Sequence, residues 1–268
     1  MCVPVVIACL LSSVDESGRR SASAVKPCGD RPRVESRAGS GSRFVGHDET
    51  GRWDNLMSCH QQIDDCVAGA EGAVRRYFDD RSDGTPCYTG ARFNSLGGWD
   101  DWRTPSDGFD CTDLVAVSML AVDVPAAAAL RLLEEDDERR QQIAGCLAQI
   151  PLDLSICDVE GRRLLNEEPS SVWQAYWLLR KFSKVGDTIA SKLLARKRPY
   201  LVPVSDRVVR TLAVPGASWW KCVAGYFADD ERVAQLRAIR DAAAPRELPL
   251  LRVLDIAVWM RGTSLEAP

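Results

Sequence analysis

The sequence predicts an all-α fold, a multi-helix globular domain over residues 57–268 that follows a disordered N-terminal segment. Apolar residues recur at spacings of three and four along most of this domain, as they do in helices that bury one face. Only short pieces such as LVPV, residues 201–204, have the composition of an extended segment. With 268 residues, of which 46% are hydrophobic, the chain is long enough to bury a sizeable core.

Residues 1–56 have a different composition. Positions 12–56 contain 8 Ser, 6 Gly and 7 Arg residues and no sustained apolar periodicity. Such a segment cannot bury enough surface to offset the entropy lost on ordering, so we predict that residues 1–56 are a disordered extension. Met57 is an in-frame alternative start, and translation from it would leave the extension out. The first eleven residues are apolar but lack the basic region of a secretion signal, so we expect a cytoplasmic protein.

The first helix of the domain is predicted over residues 63–78, whose apolar residues fall on one face. A loop rich in Asp, Gly, Pro and Trp follows it. Asp110 or Thr112 can then cap a nearly all-apolar helix, residues 114–122, and Pro125 suits the first turn of the next helix. Further helices are predicted at residues 137–149, 171–183, 187–197, 206–213, 217–228, 231–243 and 248–261.

The ten cysteines contain no C-x-x-C pair and no spacing typical of a zinc or iron–sulfur site. We therefore expect buried free thiols in a reducing cytoplasm, and the alternative is a disulfide framework. His47 and His60 are the only histidines, and both lie near the N-terminal end, which excludes a histidine-based catalytic site from most of the chain. No metal and no cofactor are expected.

Two consecutive helices with a tight turn between them are predicted in the second half of the chain. Ser170 and Ser171 offer a cap for the first helix, and SKVG, residues 183–186, connects it to the second. Gly186 is placed to take the positive φ angle that ends one helix and starts the next. Ala190 is small enough to let the two helices approach closely. We expect a helical hairpin.

The run FSKVGDTIA, residues 182–190, resembles the helix-hairpin-helix motif of DNA repair glycosylases. The continuation through Pro199 and Pro203 to Asp206 is similar to the loop and catalytic aspartate of the helix-hairpin-helix-GPD superfamily. FDCTDLVAVSMLAVDV, residues 109–124, resembles the buried helix near the start of that domain. The resemblance implies a DNA-binding protein similar to a monofunctional base-excision glycosylase, with Asp206 as its catalytic carboxylate.

This resemblance covers roughly residues 105–215. From Tyr88 onward, the chain also resembles an uncharacterised bacterial family of unknown function that shares the hairpin. Lys184 stands where the motif has its first glycine, although its ammonium could contact a phosphate directly. Thr188 stands where bifunctional members carry a Schiff-base lysine, so strand cleavage by lysine attack is not expected.

Nine basic residues and two acidic ones lie between Arg180 and Arg210, although the whole chain has a net charge of −4. Such a concentration of positive charge suits sequence-independent binding of DNA phosphates, and the N-terminus of a helix adds a favourable dipole. The alternative is that these charged side chains only face the solvent on the outer side of a helix and bind no ligand. The predicted DNA-binding residues are Lys184, Gly186, Thr188, Lys192, Arg196, Lys197, Arg198 and Arg207.

Asp206 has a second interpretation, because an aspartate before RVVRTL is also an ordinary helix N-cap. The protein would then be a non-enzymatic helical module that binds nucleic acid or another protein. A solvent-reachable cleft around Asp206 lined by Tyr or Trp would favour an enzyme, and a carboxylate covered by packed side chains would favour the module. Trp219 and Trp220 are candidates for stacking on an extruded base or, alternatively, for anchoring a helix in the core. The loop from Trp99 to Trp102 is a candidate lid or binding loop.

Overall fold

The computed structural model describes residues 59–97, 107–134, 136–212 and 218–266. The predicted disordered extension, residues 1–56, and the loop from Trp99 to Trp102 lie outside these ranges. The described chain is helical, and its β structure is limited to an isolated bridge between Asp80 and Pro86. The prediction of an all-α domain is therefore confirmed for the described residues.

The helices are numbered α1 to α12 in chain order, and a 3-10 helix lies between α2 and α3. Within the described ranges, none is long and apolar enough to cross a membrane. The bounds are 59–67 for α1, Glu71–Tyr77 for α2, Thr89–Arg92 for the 3-10 helix, Cys111–Ser118 for α3, Ala126–Leu133 for α4, Glu138–Ala148 for α5, Val159–Asn166 for α6, Ser171–Arg180 for α7, Asp187–Lys197 for α8, Arg207–Leu212 for α9, Trp219–Tyr226 for α10, Asp230–Ala243 for α11 and Leu250–Glu266 for α12.

Two helical segments differ from the sequence prediction. The predicted helix 63–78 is divided into α1 and α2, because Gly69 adopts a left-handed backbone with φ +70° that ends α1. The sequence analysis does not predict α6, because this helix has only eight residues and contains a glycine and three charged side chains. That glycine, Gly161, is required by packing, since a Cβ at this position would lie 2.0 Å from the Ser155 carbonyl oxygen.

Two helices of the core support the site described below. α8 packs against α3 and α7, and its residues from Ala190 to Lys197 are all buried. α12 packs against α2, α9 and α11. Side chains on α8 and α12 that point away from the solvent can therefore meet residues from distant parts of the chain.

A disulfide links Cys59 on α1 to Cys222 on α10, which are 163 residues apart in the sequence. The expectation of free thiols is wrong for this pair, because packing of α1 against the C-terminal half brings the two side chains together. The remaining cysteines of the described chain are free, namely Cys66, Cys87, Cys111, Cys146 and Cys157.

Candidate functional site

The predicted pair of consecutive helices is formed by α7 and α8, which pack against each other across the turn at residues 181–186. Ser170 caps α7 by accepting a hydrogen bond from the Trp173 backbone N–H at 3.5 Å. The positive φ angle of the turn belongs to Lys184, at +62°, whereas Gly186 has a φ of −94°. The expectation that Gly186 is left-handed is therefore wrong. The left-handed residue occupies the position at which the helix-hairpin-helix resemblance has its first glycine.

Three of the predicted DNA-binding residues, Arg196, Lys197 and Arg198, are at most 4% exposed. Arg196 and Lys197 both form ion pairs with Asp113, and the Nε of Arg196 lies 3.3 Å from it. Arg198 pairs with Asp107 at 2.6 Å. The two arginines also donate to the backbone carbonyls of Phe93, Asn94, Leu96, Leu147 and Ile150. The prediction of an exposed phosphate-binding face is wrong here, because these cations are used inside the protein to join loops and helix ends.

Lys192 is also buried, with 3% exposure, but it lies at the site. Its Nζ donates to the Leu120 carbonyl oxygen at 2.8 Å and lies 3.8 Å from Asp206 Oδ2. Burial lowers the pKa of the Lys192 ammonium, and the carboxylate of Asp206 opposes that shift. Lys192 therefore places a buried amine beside Asp206, and it does not form part of an exposed basic face.

Asp206 caps α9, because its Oδ1 accepts a hydrogen bond from the Val209 backbone N–H at 3.0 Å. The N-cap interpretation is confirmed by this contact. The side chain of Asp206 nevertheless remains 13% exposed. The cap holds the carboxylate in one orientation without removing it from the solvent. The role of Asp206 as a cap is therefore compatible with a role in catalysis.

Hydrogen bonds from two helices hold the segment before Asp206. The Ser191 hydroxyl on α8 donates to the Ser205 carbonyl oxygen at 3.0 Å and accepts from the Ser205 N–H at 3.1 Å. Trp219 and Trp220 on α10 donate from their indole N–H groups to carbonyls of the same segment at 3.0 and 3.1 Å. Both tryptophans are buried in these contacts, which supports the interpretation of core anchors and not that of a stacking wall.

An open groove of about 740 Å³ is lined by the hairpin turn, the start of α8 and the start of α9. This basic groove contains five basic side chains and two carboxylates. Arg180 and Arg210 both form ion pairs with Asp187, and the Arg210 pair has a distance of 3.1 Å. Lys184 is exposed and has no ion-pair partner among the described residues. The predicted DNA-binding residues that line the basic groove are Lys184, Gly186, Thr188, Lys192 and Arg207.

A smaller cavity of about 280 Å³ adjoins the groove. Its walls are largely apolar and aromatic, with the rings of Tyr77 and Tyr88 stacked 5.4 Å apart and Trp259 edge-on to both. Gly90 leaves room for the Tyr77 hydroxyl, since a Cβ there would lie 2.0 Å from that oxygen. The volume of this aromatic cavity is close to the lower end of the range for small-molecule sites, roughly 300–1,000 Å³.

The basic groove and the aromatic cavity meet at Asp206. The residues common to both linings are Leu120, Ala121, Lys192, Asp206 and Trp259. Ala121 has a left-handed backbone with φ +58°, an unfavourable conformation for alanine of the kind that concentrates at functional sites. Of the carboxylates in the described chain, only Asp206 lines both the groove and the cavity.

Arg252 and Asp255 on α12 place charged groups in the otherwise apolar cavity. Arg252 Nη1 lies 2.7 Å from Asp255 Oδ2, which also accepts a hydrogen bond from the Val204 N–H at 3.2 Å. Burial raises the pKa of Asp255 to about 6, Arg252 and the Val204 N–H oppose the shift, and Asp206 adds to it. Sequence reasoning missed this pair, although an Arg and an Asp three residues apart in the apolar run LLRVLDIAVWM were a usable signal.

Among the described residues, no group of three or more His, Cys, Asp or Glu side chains is arranged to hold a metal ion. The chemistry that these residues offer is that of a fixed carboxylate and a buried amine at the mouth of an aromatic cavity.

These features define an all-helical domain in which a basic groove and an aromatic cavity share one aspartate. The chain belongs to a family of unknown function, DUF6308, whose family model matches residues 70–262. The matched range includes the groove, the cavity and Asp206. No curated protein and no solved structure matches the chain.

Proposed function

We propose that this protein binds DNA in the basic groove and hydrolyses the N-glycosidic bond of a nucleotide whose base is extruded into the aromatic cavity. The observation that carries the proposal is the position of Asp206 where groove and cavity meet. An extruded base in the cavity would leave its sugar beside this carboxylate. The lining by Tyr77, Tyr88 and Trp259 supports an enzyme over a non-enzymatic binding module.

In the proposed reaction, the bond between C1′ and the base nitrogen breaks and its electron pair leaves with the base. The Asp206 carboxylate stabilises the positive charge that develops on the sugar. The oxygen of a water molecule then bonds to C1′, and the proton that this water loses ends on the released base. Thr188 occupies the position of the Schiff-base lysine in the resembling enzymes, which favours hydrolysis by water and a monofunctional enzyme.

The rigid surroundings of Asp206 support its proposed role. The cap on α9 fixes the carboxylate, and the hydrogen bonds of Ser191 and of the α10 tryptophans fix the backbone before it. A charge that is held in place before the reaction stabilises the transition state without the cost of reorganisation.

The proposed DNA contacts are those of the groove surface. Lys184 in the hairpin turn, Arg207 at the start of α9 and the N-terminal residues of α8 all line the groove. Arg180 and Arg210 neutralise Asp187, which would otherwise repel a phosphate from that helix end. Such contacts are sequence-independent, and their strength falls as salt rises.

Fluorescence anisotropy with a labelled duplex tests DNA binding. We expect affinity to fall by roughly tenfold or more between 50 and 200 mM salt, because a few phosphate contacts release bound counterions. Lys184→Gln should weaken binding and reduce this salt dependence. The matched control is Lys221→Gln, which removes a lysine paired with Glu168 outside the groove lining. Salt-insensitive affinity, or equal effects of the two substitutions, would contradict the proposal.

Base release from a panel of damaged duplexes tests catalysis. Asp206→Asn should lower the rate by about 100-fold or more, because it removes the charge that stabilises the cationic sugar and keeps the size of the side chain. Asp241→Asn, on the exposed surface beside Arg240, is the control and should leave the rate unchanged. Equal release by wild type and Asp206→Asn would remove Asp206 from the reaction.

A further inference from the structure

Three residues that line the aromatic cavity carry buried polar atoms that have no hydrogen-bond partner in the described chain. Six buried side-chain nitrogen or oxygen atoms of the described residues lack a hydrogen-bond partner, and four of them belong to Asn94, Arg252 and Asp255. One of these four, Arg252 Nη1, forms the ion pair with Asp255, so Asn94 Nδ2, Arg252 Nε and Asp255 Oδ1 remain without a polar contact to the described residues. All three residues line the cavity, and each is at most 7% exposed. Buried polar groups are nearly always paired with protein, ordered water or a ligand, so a ligand in this cavity could supply the partners of these atoms.

The unpaired atoms have a defined hydrogen-bonding character. Asn94 Nδ2 and Arg252 Nε are donors, and Asp255 Oδ1 is an acceptor. Backbone groups bind the other polar atoms of these two side chains. Arg252 Nη2 donates to the Val202 carbonyl oxygen, and Asp255 Oδ2 accepts from the Val204 N–H. The lining of the cavity thus includes two donors and one acceptor besides its aromatic walls, and the three residues Asn94, Arg252 and Asp255 form what we call its polar end.

We propose that Asn94, Arg252 and Asp255 select a heterocyclic base that carries an oxo group beside a ring N–H. The identification of the ligand as a base rests on the proposed function. The oxo oxygen has two lone pairs and can accept from Asn94 Nδ2 and Arg252 Nε, while the ring N–H donates to Asp255 Oδ1. The aromatic walls contact the faces and edges of the ring.

This arrangement discriminates between bases of the same shape. On the Watson–Crick edge, uracil and hypoxanthine carry an oxo group beside a ring N–H, whereas cytosine and adenine carry an amino group beside a bare ring nitrogen. The amino group would place a donor against the donors of Asn94 and Arg252, and the bare nitrogen would leave Asp255 Oδ1 unpaired. A site whose buried polar groups stay unpaired rejects such a ligand strongly. Shape cannot explain a preference within either pair.

Isothermal titration of the full chain at pH 7.5 tests the selection with the four bases methylated at the nitrogen that bonds to the sugar, N1 of uracil and cytosine and N9 of hypoxanthine and adenine. The methyl group removes the N1–H of cytosine, which would otherwise stand beside its C2 oxo group and offer the selected pattern. We expect uracil to bind at least about tenfold more tightly than cytosine, and hypoxanthine at least about tenfold more tightly than adenine, because each exchange leaves at least one hydrogen bond unmade. Equal affinities within the pairs, the opposite preference, or no binding of any of the four bases would overturn the inference.

Asn94→Leu tests the polar end without breaking the charged pair of α12. We expect it to lower uracil affinity by about tenfold and to reduce the preference for uracil over cytosine. Asn166→Leu, an exposed position at the end of α6, is the matched control and should change neither value. Unchanged uracil affinity in Asn94→Leu, with an unchanged melting temperature, would overturn the role of Asn94.

The two proposals fail in different experiments. If the protein prefers oxo bases but binds no duplex, the base selection by the cavity stands and the proposed DNA function is wrong. Salt-dependent duplex binding with Asp206-dependent base release, but without preference within the two pairs of methylated bases, would overturn the base selection alone.

Discussion

Asp113 joins two elements of the described chain through one carboxylate. It accepts a hydrogen bond from the Asp110 N–H at 3.1 Å, which completes the capping box of α3. The same side chain forms ion pairs with Arg196 and Lys197 on α8. Two cations, which are at most 4% exposed, therefore depend on a single buried anion.

Asp113→Asn is expected to lower the free energy of unfolding by about 3–5 kcal/mol, because it leaves two buried cations without a compensating charge. Urea unfolding monitored by circular dichroism measures the change. Asp241→Asn, which removes half of an exposed pair with Arg240, is the control and should change the free energy of unfolding by less than about 0.5 kcal/mol. Similar losses in the two variants would contradict the buried-pair argument.

The two consecutive helices α7 and α8 form as predicted, but the residue with the positive φ angle in the turn between them is not the predicted glycine. The left-handed conformation falls on Lys184, a residue for which that backbone is unfavourable. Gly186 has an extended backbone, and a Cβ built on it has no atom within 4 Å. Lys184 therefore bears a conformational cost at the position where its ammonium lies on the groove.

Lys184→Gly is expected to raise the free energy of unfolding by up to about 1 kcal/mol, because glycine adopts the left-handed backbone without strain. Gly186→Ala should be neutral or stabilising by up to about 1 kcal/mol, because alanine tolerates its φ angle and restricts the unfolded chain. Denaturant unfolding of the two variants measures both changes. A loss of more than about 1 kcal/mol in Gly186→Ala would show that Gly186, and not Lys184, needs glycine.

At the scale of the whole domain, the bridge between Cys59 and Cys222 ties α1 to α10. It closes a loop of 163 residues and thereby restricts the unfolded chain strongly. Disulfides persist mainly in oxidising compartments, so this bridge bears directly on the expected cytoplasmic location. That location stays a prediction.

Cys59→Ser is expected to lower the free energy of unfolding by about 2–5 kcal/mol, and a reducing agent should destabilise the wild type but not this variant. Cys111→Ser, which replaces an exposed free thiol, is the control and should remain sensitive to reduction. Alkylation of thiols during cell lysis, followed by mass spectrometry, shows whether the bridge forms in the cell. Full alkylation of Cys59 and Cys222 would mean that it does not.

Local patterns were sufficient for most helices of the domain. The predicted bounds 187–197 agree with those of α8, and α11 begins one residue before the predicted 231. Caps and turns mark these ends in the sequence itself, so no tertiary information is needed to find them. The helix predicted to end at 183 ends at Arg180, because the left-handed turn that follows it needs residues that the helix would otherwise include.

The amino-acid sequence alone thus determined the all-helical class, the pair of helices around Lys184 and the cap at Asp206, because each depends on residues within one or two turns of the chain. Only the tertiary structure decided that Arg196, Lys197 and Arg198 are internal and that the aromatic cavity exists. Burial depends on which helices pack together, and charge composition cannot distinguish a cation in solvent from one paired inside the protein. The cavity joins residues 94, 206 and 255, which no local pattern connects.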